Sequence, residues 1–149
     1  MGLPSLRYGF QVEVPRPYEE AVALVKEALA EKGFGVLTEI DVKATLKKKL
    51  DVEFRPYAIL GACNPPLAHR ALSEERAIGL LLPCNVVVYA ADAPGRSVVA
   101  VLDPVAQLGI TGRDDIRPLA EQVRALLRGA LDDVERRAAP GTMNEKRSS

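Results

Sequence analysis

Tryptophan is absent from this 149-residue chain, histidine occurs once, cysteine twice, and aromatic residues make up only 5%. Two cysteines cannot staple a chain of this length, so a disulfide scaffold is excluded and stability must come from a buried core. His69, Cys63 and Cys84 are the only histidine and cysteines, and no close Cys-x-x-Cys pair occurs, so no metal site is expected. Neither sign of charge prevails: 20 basic and 20 acidic residues give a formal net charge of zero. A dedicated nucleic-acid binder usually carries a basic excess, so no nucleic-acid partner is expected. The longest near-apolar run, residues 77–91, is broken by Pro83 and Asn85 and is too short to span a bilayer. The first residues show no basic segment followed by an apolar stretch, which makes a cytoplasmic location with reduced thiols the expectation. Paired carboxylates for acid–base work, a Ser-His-Asp set, a phosphate-cradling glycine loop and a dinucleotide fingerprint are all missing. The residues therefore specify no reaction and no cofactor.

What the chain does have is the patterning of one globular domain over residues 1–139. Hydrophobic residues make up 48% and charged residues 27%, and a chain of this size buries about two-thirds of its unfolded surface. Tyr8, Phe10, Val12 and Val14 alternate with polar residues as in a half-buried strand. A helix is expected over 17–32, with Glu19 and Glu20 at its positive end and Lys32-Gly33 as its stop. Val36, Thr38 and Ile40 suggest a second strand. Val42, Leu46 and Leu50 then fall four apart, which predicts a short amphipathic helix over 41–50 with Lys43, Lys47, Lys48 and Lys49 on a solvated face. Residues 86–89 and 97–102 form a hairpin across Pro94-Gly95. A loop is expected from Asp103-Pro104 to Asp114-Asp115, and a long helix over 116–138 with Leu119, Val123, Leu127 and Leu131 on one face. Residues 140–149 lack periodicity and read as a mobile tail. The sum is an α+β, two-layer domain: a single, mainly antiparallel sheet with two long helices on one face. Its uncovered sheet face would suit a second copy of the chain or a ligand.

The chemistry concentrates between Tyr57 and Tyr89. Tyr57 to Cys63 is an extended apolar run, and Asn64-Pro65-Pro66 has the grammar of a helix start, with Asn as cap and Pro in the first turn. That helix, over 65–72, would bury Leu67, Ala68, Ala71 and Leu72. In the strand, Tyr57, Ile59, Gly61 and Cys63 share one face; in the later strand Cys84, Val86 and Val88 share another, with Asn85, Val87 and Tyr89 opposite. A thiol at a helix N-terminus can be acidified, which makes Cys63 a candidate nucleophile or ligand-binding group. A buried cysteine acting as a small hydrophobe is the competing account. Asn85, at the head of an apolar strand, reads as a buried amide that needs partners and ties the Pro83 turn to a neighbouring strand. Arg55 and Tyr57 are candidates for the border of a pocket, although pattern alone does not place them, and His69 is expected at the surface or behind a site.

The segments Arg55-Pro56-Tyr57-Ala58-Ile59-Leu60-Gly61-Ala62-Cys63-Asn64-Pro65 and Ile78-Gly79-Leu80-Leu81-Leu82-Pro83-Cys84-Asn85-Val86-Val87-Val88-Tyr89 closely resemble the signature of the DUF302 family, a domain of unknown function. The resemblance covers about residues 7–138. It implies a β-α-β-β-β-β-α core with short extra helices, similar to the TATA-binding-protein-like fold, and dimers in some members. The acidic residue that often follows the tyrosine in the family is Ala90 here. Two functional expectations stand side by side. One is small-molecule or thiol-dependent ligand binding at a site formed by Cys63, Asn64, Cys84, Asn85 and Tyr57. The other is a non-enzymatic structural or dimeric assembly module, a homodimer, in which the motif serves the fold only.

Overall fold

The computed structural model describes residues 3–140; the tail expected at 140–149 lies, from residue 141 on, outside them. Strands β1 (Gly9–Val14), β2 (Gly35–Asp41), β3 (Tyr57–Cys63), β4 (Cys84–Ala90) and β5 (Ser97–Leu102) form one sheet in the order β1-β5-β4-β3-β2. Every neighbouring pair is antiparallel. Because side chains alternate across a strand, Val14, Leu60, Ala62, Val86, Val88, Val99 and Val101 gather on one face and form the floor of the core.

Two long helices close that floor. Helix α1 (Tyr18–Glu31) buries Ala21, Leu24, Val25, Ala28 and Leu29, and Glu19 and Glu20 sit in its first turn. It ends at Lys32, and Gly33 follows at φ +86°, a left-handed conformation that glycine adopts without strain. The last helix, which we call α5 (Arg117–Ala138), buries Leu119, Val123, Leu127, Ala130, Leu131 and Val134. Fully burying a leucine such as Leu29 or Leu127 is worth about 1.5–3 kcal/mol. The Arg124 and Arg128 guanidinium groups lie 5.3 and 4.5 Å from the Phe10 ring centre, so α5 also clasps the edge strand β1.

The chain departs from its sequence pattern in four places. Helix α2 (Val42–Leu50) forms and is capped by Asp41, whose carboxylate accepts the Ala44 N–H at 2.9 Å, but its Val42-Leu46-Leu50 stripe is not buried. It follows the edge strand β2, beyond the two long helices, and Leu50 stays 65% exposed. Lys47 on this helix pairs with Asp51 at 2.8 Å and Glu53 at 3.3 Å. Tyr8 drops out of the β1 alternation: its carbonyl accepts the Asp103 N–H at 2.8 Å at the end of the ladder, and its ring is exposed. Helix α3 (Pro65–Glu74) runs two residues further than expected and leaves Leu72 exposed. The expected loop after β5 instead opens with a short helix, α4 (Pro104–Leu108), whose cap Asp103 accepts the Val105 N–H at 2.9 Å. Between α3 and β4 the apolar run forms a 3-10 turn over Arg76–Leu81 that buries only Ile78.

Candidate functional site

The site is built where β3 ends. Asn64 breaks the strand and caps α3, its Oδ1 accepting the Leu67 N–H at 3.4 Å. Its amide nitrogen lies 3.1 Å from the position a Cβ would take on Gly33, so the glycine that stops α1 also makes room for the cap of α3. One strand over, Pro83 leads into β4, and Cys84 stands directly opposite Ala62. The Pro83 ring rests on Gly61: a Cβ there would come within 2.8 Å of Pro83 Cγ and closer still to Thr38 Oγ1.

Together with α3, α4 and the start of α5, this end of the sheet encloses a cavity of about 290 Å³. Cys63, Asn64 and Cys84 border it, and Phe34, Ala62, Leu67, Ala71, Leu108 and Leu119 supply much of an almost wholly apolar wall. The exposed side chains of Leu37 and Leu72 mark the rim. Gln107, also on the wall, donates its Nε2 to the Leu81 carbonyl at 2.6 Å and so ties α4 to the 3-10 turn. The structure thus brings three of the five expected site residues to one cavity. Regular alternation places Cys63 and Cys84 on opposite pleats; they meet the same space because β3 stops at Cys63.

Both sulfurs are free thiols, Cys63 half-buried and Cys84 buried. Burial, with a smaller contribution from neighbouring Cys63, pushes the Cys84 thiol up from its ordinary 9.0 to about 11. Cys84 is therefore protonated at neutral pH, and an inert one there. The start of α3 offers a thiolate little. Pro65 and Pro66 have no N–H, Leu67 donates to the Asn64 side chain, and Ala68 donates to the Asn64 carbonyl at 2.9 Å.

The other two expected residues, Asn85 and Tyr57, lie on the opposite, uncovered face. In the β3–β4 register Asn85 stands beside Gly61 and Tyr57 beside Tyr89. The Tyr57 and Tyr89 rings stack at 5.1 Å with planes 6° apart, and Phe54 lies 6.1 Å from Tyr57. With Tyr8, Gln11, Asn85, Val87 and Ala100 the two stacked tyrosines line a shallow groove of about 430 Å³. Burial, then the neighbouring Tyr89 and Tyr8, raises the Tyr57 phenol above its ordinary value. Asn85 is exposed, which corrects the expectation of a buried amide. Its neighbour Gly61 has no side chain to cover it.

Two further residues stand apart from both surfaces. Arg55 binds the Ala90 carbonyl and the Asp92 carboxylate, each at 3.0 Å, so a carboxylate two positions after Ala90 meets it. His69 is exposed on α3 and off the cavity wall. Among the described residues no three or more His, Cys, Asp or Glu side chains gather as a metal site would require. Sequence reasoning missed Gln107 and the α4 wall. The signal was present in Asp103-Pro104, which repeats the cap-then-proline grammar read at Asn64-Pro65.

A two-layer α+β domain, with one sheet face covered by helices and an apolar cavity at the sheet end, is the class that fold and site define. Residues 10–134 match the family model described as "Domain of unknown function DUF302", and the chain belongs to that family. It is similar to a solved structure titled "Crystal structure of uncharacterized conserved protein DUF302 from Bacillus stearothermophilus", with a TM-score of 0.79 and 29% identity. That likeness covers 87% of this chain and 99% of the other. None of the curated proteins matches the chain significantly.

Proposed function

We propose that this domain binds a small molecule in the cavity at the end of the sheet, with Cys63, Asn64 and Cys84 as part of the wall. The observation that carries the reading is that one space of about 290 Å³ is bordered by both motif segments, one ending β3 and the other opening β4. Ligand pockets begin at about 300 Å³ and are mostly apolar with a few fixed polar groups, and this cavity fits that description. The thiols act as non-covalent contacts: Cys84 stays protonated at neutral pH, and Pro65 and Pro66 leave the helix beside Cys63 without its first two amide donors. Reduced thiols suit a cytoplasmic setting. No described helix is long and apolar enough to cross a membrane.

Nile red, a neutral dye that brightens in apolar pockets, tests the reading. Wild type is expected to bind it saturably. Ala68→Phe, on the partly exposed wall of α3, is expected to abolish binding while keeping the fold. Undiminished binding by Ala68→Phe would place the dye elsewhere and sink the proposal.

A second reading rests on the other face. Tyr57 stacked on Tyr89, with Phe54, Ile40 and Tyr8 exposed nearby, gives an apolar surface that a second copy of the chain would cover. We propose a homodimer through this face, to be checked by sedimentation equilibrium. Tyr89→Lys should shift wild-type dimer to monomer; a wild type that is monomeric at high micromolar concentration ends this reading.

A further inference from the structure

We infer that the ligand of the sheet-end cavity is an uncharged, apolar molecule, and that the cavity rejects carboxylates, phosphates and ammonium groups. This rests on the reading of that cavity as a ligand site. None of the residues lining it is acidic, basic or histidine, so a charged ligand would find no counter-charge on the wall.

The wall has few polar groups, and they are neutral amides: Asn64 accepts one bond through Oδ1 and Gln107 donates one through Nε2, so what they still offer a ligand is uncharged hydrogen bonding. Asn64 caps α3 and Gln107 ties down Leu81, as described above. A helix start beside a cavity is ordinarily an anion site, because its first N–H groups lack partners. At α3 that site is closed twice over: Pro65 and Pro66 remove two donors, and Asn64 takes those of Leu67 and Ala68. The helix that would most attract an anion is thereby made neutral toward one.

The second helix start at the cavity is filled as well, by a carboxylate that is itself paired. Pro104 lines the wall, and the residue before it, Asp103, places its carboxylate at the N-terminus of α4, where it accepts the Val105 N–H. Arg124 reaches that carboxylate at 3.8 Å but does not line the cavity. The protonated Cys84 thiol adds no charge at neutral pH. A dry cavity of about 150 Å³ holds one benzene, so about 290 Å³ admits a substituted ring, a fused bicycle or a folded medium-length chain.

Three eight-carbon probes with different head groups separate the outcomes: 1-octanol, octanoate and octylammonium, each titrated against Nile red bound to the full-length protein at neutral pH. Octanol is expected to displace the dye, with both ions weaker by about tenfold or more, since an unpaired charge loses its hydration on entry. If either ion displaces the dye as well as octanol does, the inference about charge is wrong while the cavity remains a ligand site. If no probe competes and Nile red itself fails to bind wild type, the cavity reading and the inference fall together. Octanol binding that survives in Ala68→Phe overturns both as well, because the contact then lies outside the cavity.

Discussion

The two faces of the sheet treat one motif differently. On the helix-covered side, Cys84 joins Cys63 and Asn64 at a cavity with no charged residue on its wall. On the uncovered side, Asn85, one residue later, shares an open groove with Tyr8, Gln11, Tyr57 and Tyr89. Adjacent residues thus serve two surfaces that differ in polarity, depth and access. A doubled Cys-Asn dipeptide looks like one site when written in a line. In a pleated strand its two members point apart, and only a strand end lets both cysteines reach the same space.

The strongest way to break the contrast is at Gly61, which belongs to the uncovered face yet supports Pro83 on the cavity wall. Thr38 can rotate away from a new side chain, but the Pro83 ring cannot. Gly61→Val is expected to lose about 3 kcal/mol of stability in denaturant melts, and to lose Nile red binding below its melting temperature. A variant that keeps both would show that the faces are independent.

Next in size is a pH effect confined to the covered side. The unfolded Cys84 thiol ionises near 9.0 and the folded one at about 11, so the folded state holds its proton longer. The thiol's contribution is complete below the lower value and is lost as pH rises through the upper one. At about 1.4 kcal/mol per unit, the loss is on the order of 2–3 kcal/mol. Cys84→Ala should lack that decline in urea melts between those pH values. Parallel curves for the two proteins would contradict the burial argument.

Smaller still is the difference between the two asparagines. Asn64→Ala removes a cap and is expected to cost about 1 kcal/mol, whereas Asn85→Ala on the exposed face should stay within about 0.5 kcal/mol. Equal effects would undo the assignment of one to structure and the other to surface. The smallest expected effect is the coupling between Tyr57 and Tyr89. A double-mutant cycle to leucine should give about 0.5 kcal/mol, since the stacked pair is only half-buried.

Much of this was legible in local grammar. Asn64-Pro65-Pro66 announced its helix, Val86 to Leu102 its hairpin, and alternation placed Tyr57 and Asn85 on their strands' correct sides. The family signature supplied the order of elements. What local pattern does not carry is which side of the sheet the helices take, and so it grouped Tyr57 and Asn85 with the cysteines. Nor does it say how far an apolar stripe is covered: Val42, Leu46 and Leu50 have the right spacing, yet the first two are only half-buried and Leu50 is exposed. Gln107 reaches the cavity from the last turn of α4, and Leu37 from the irregularity in β2 between Val36 and Thr38, where the two-residue period is broken.

The strand order bears on how the chain is made. β1 and β2, the first two strands synthesised, are the two edges, and they are joined only through the strands that come later. β1 pairs solely with β5, across an interval that runs from Val14 to Ser97. A nascent chain emerging from the ribosome therefore carries β1 unpaired until β5 has been made. The last strand to appear is the one that docks the first, and the five-stranded sheet is complete only then.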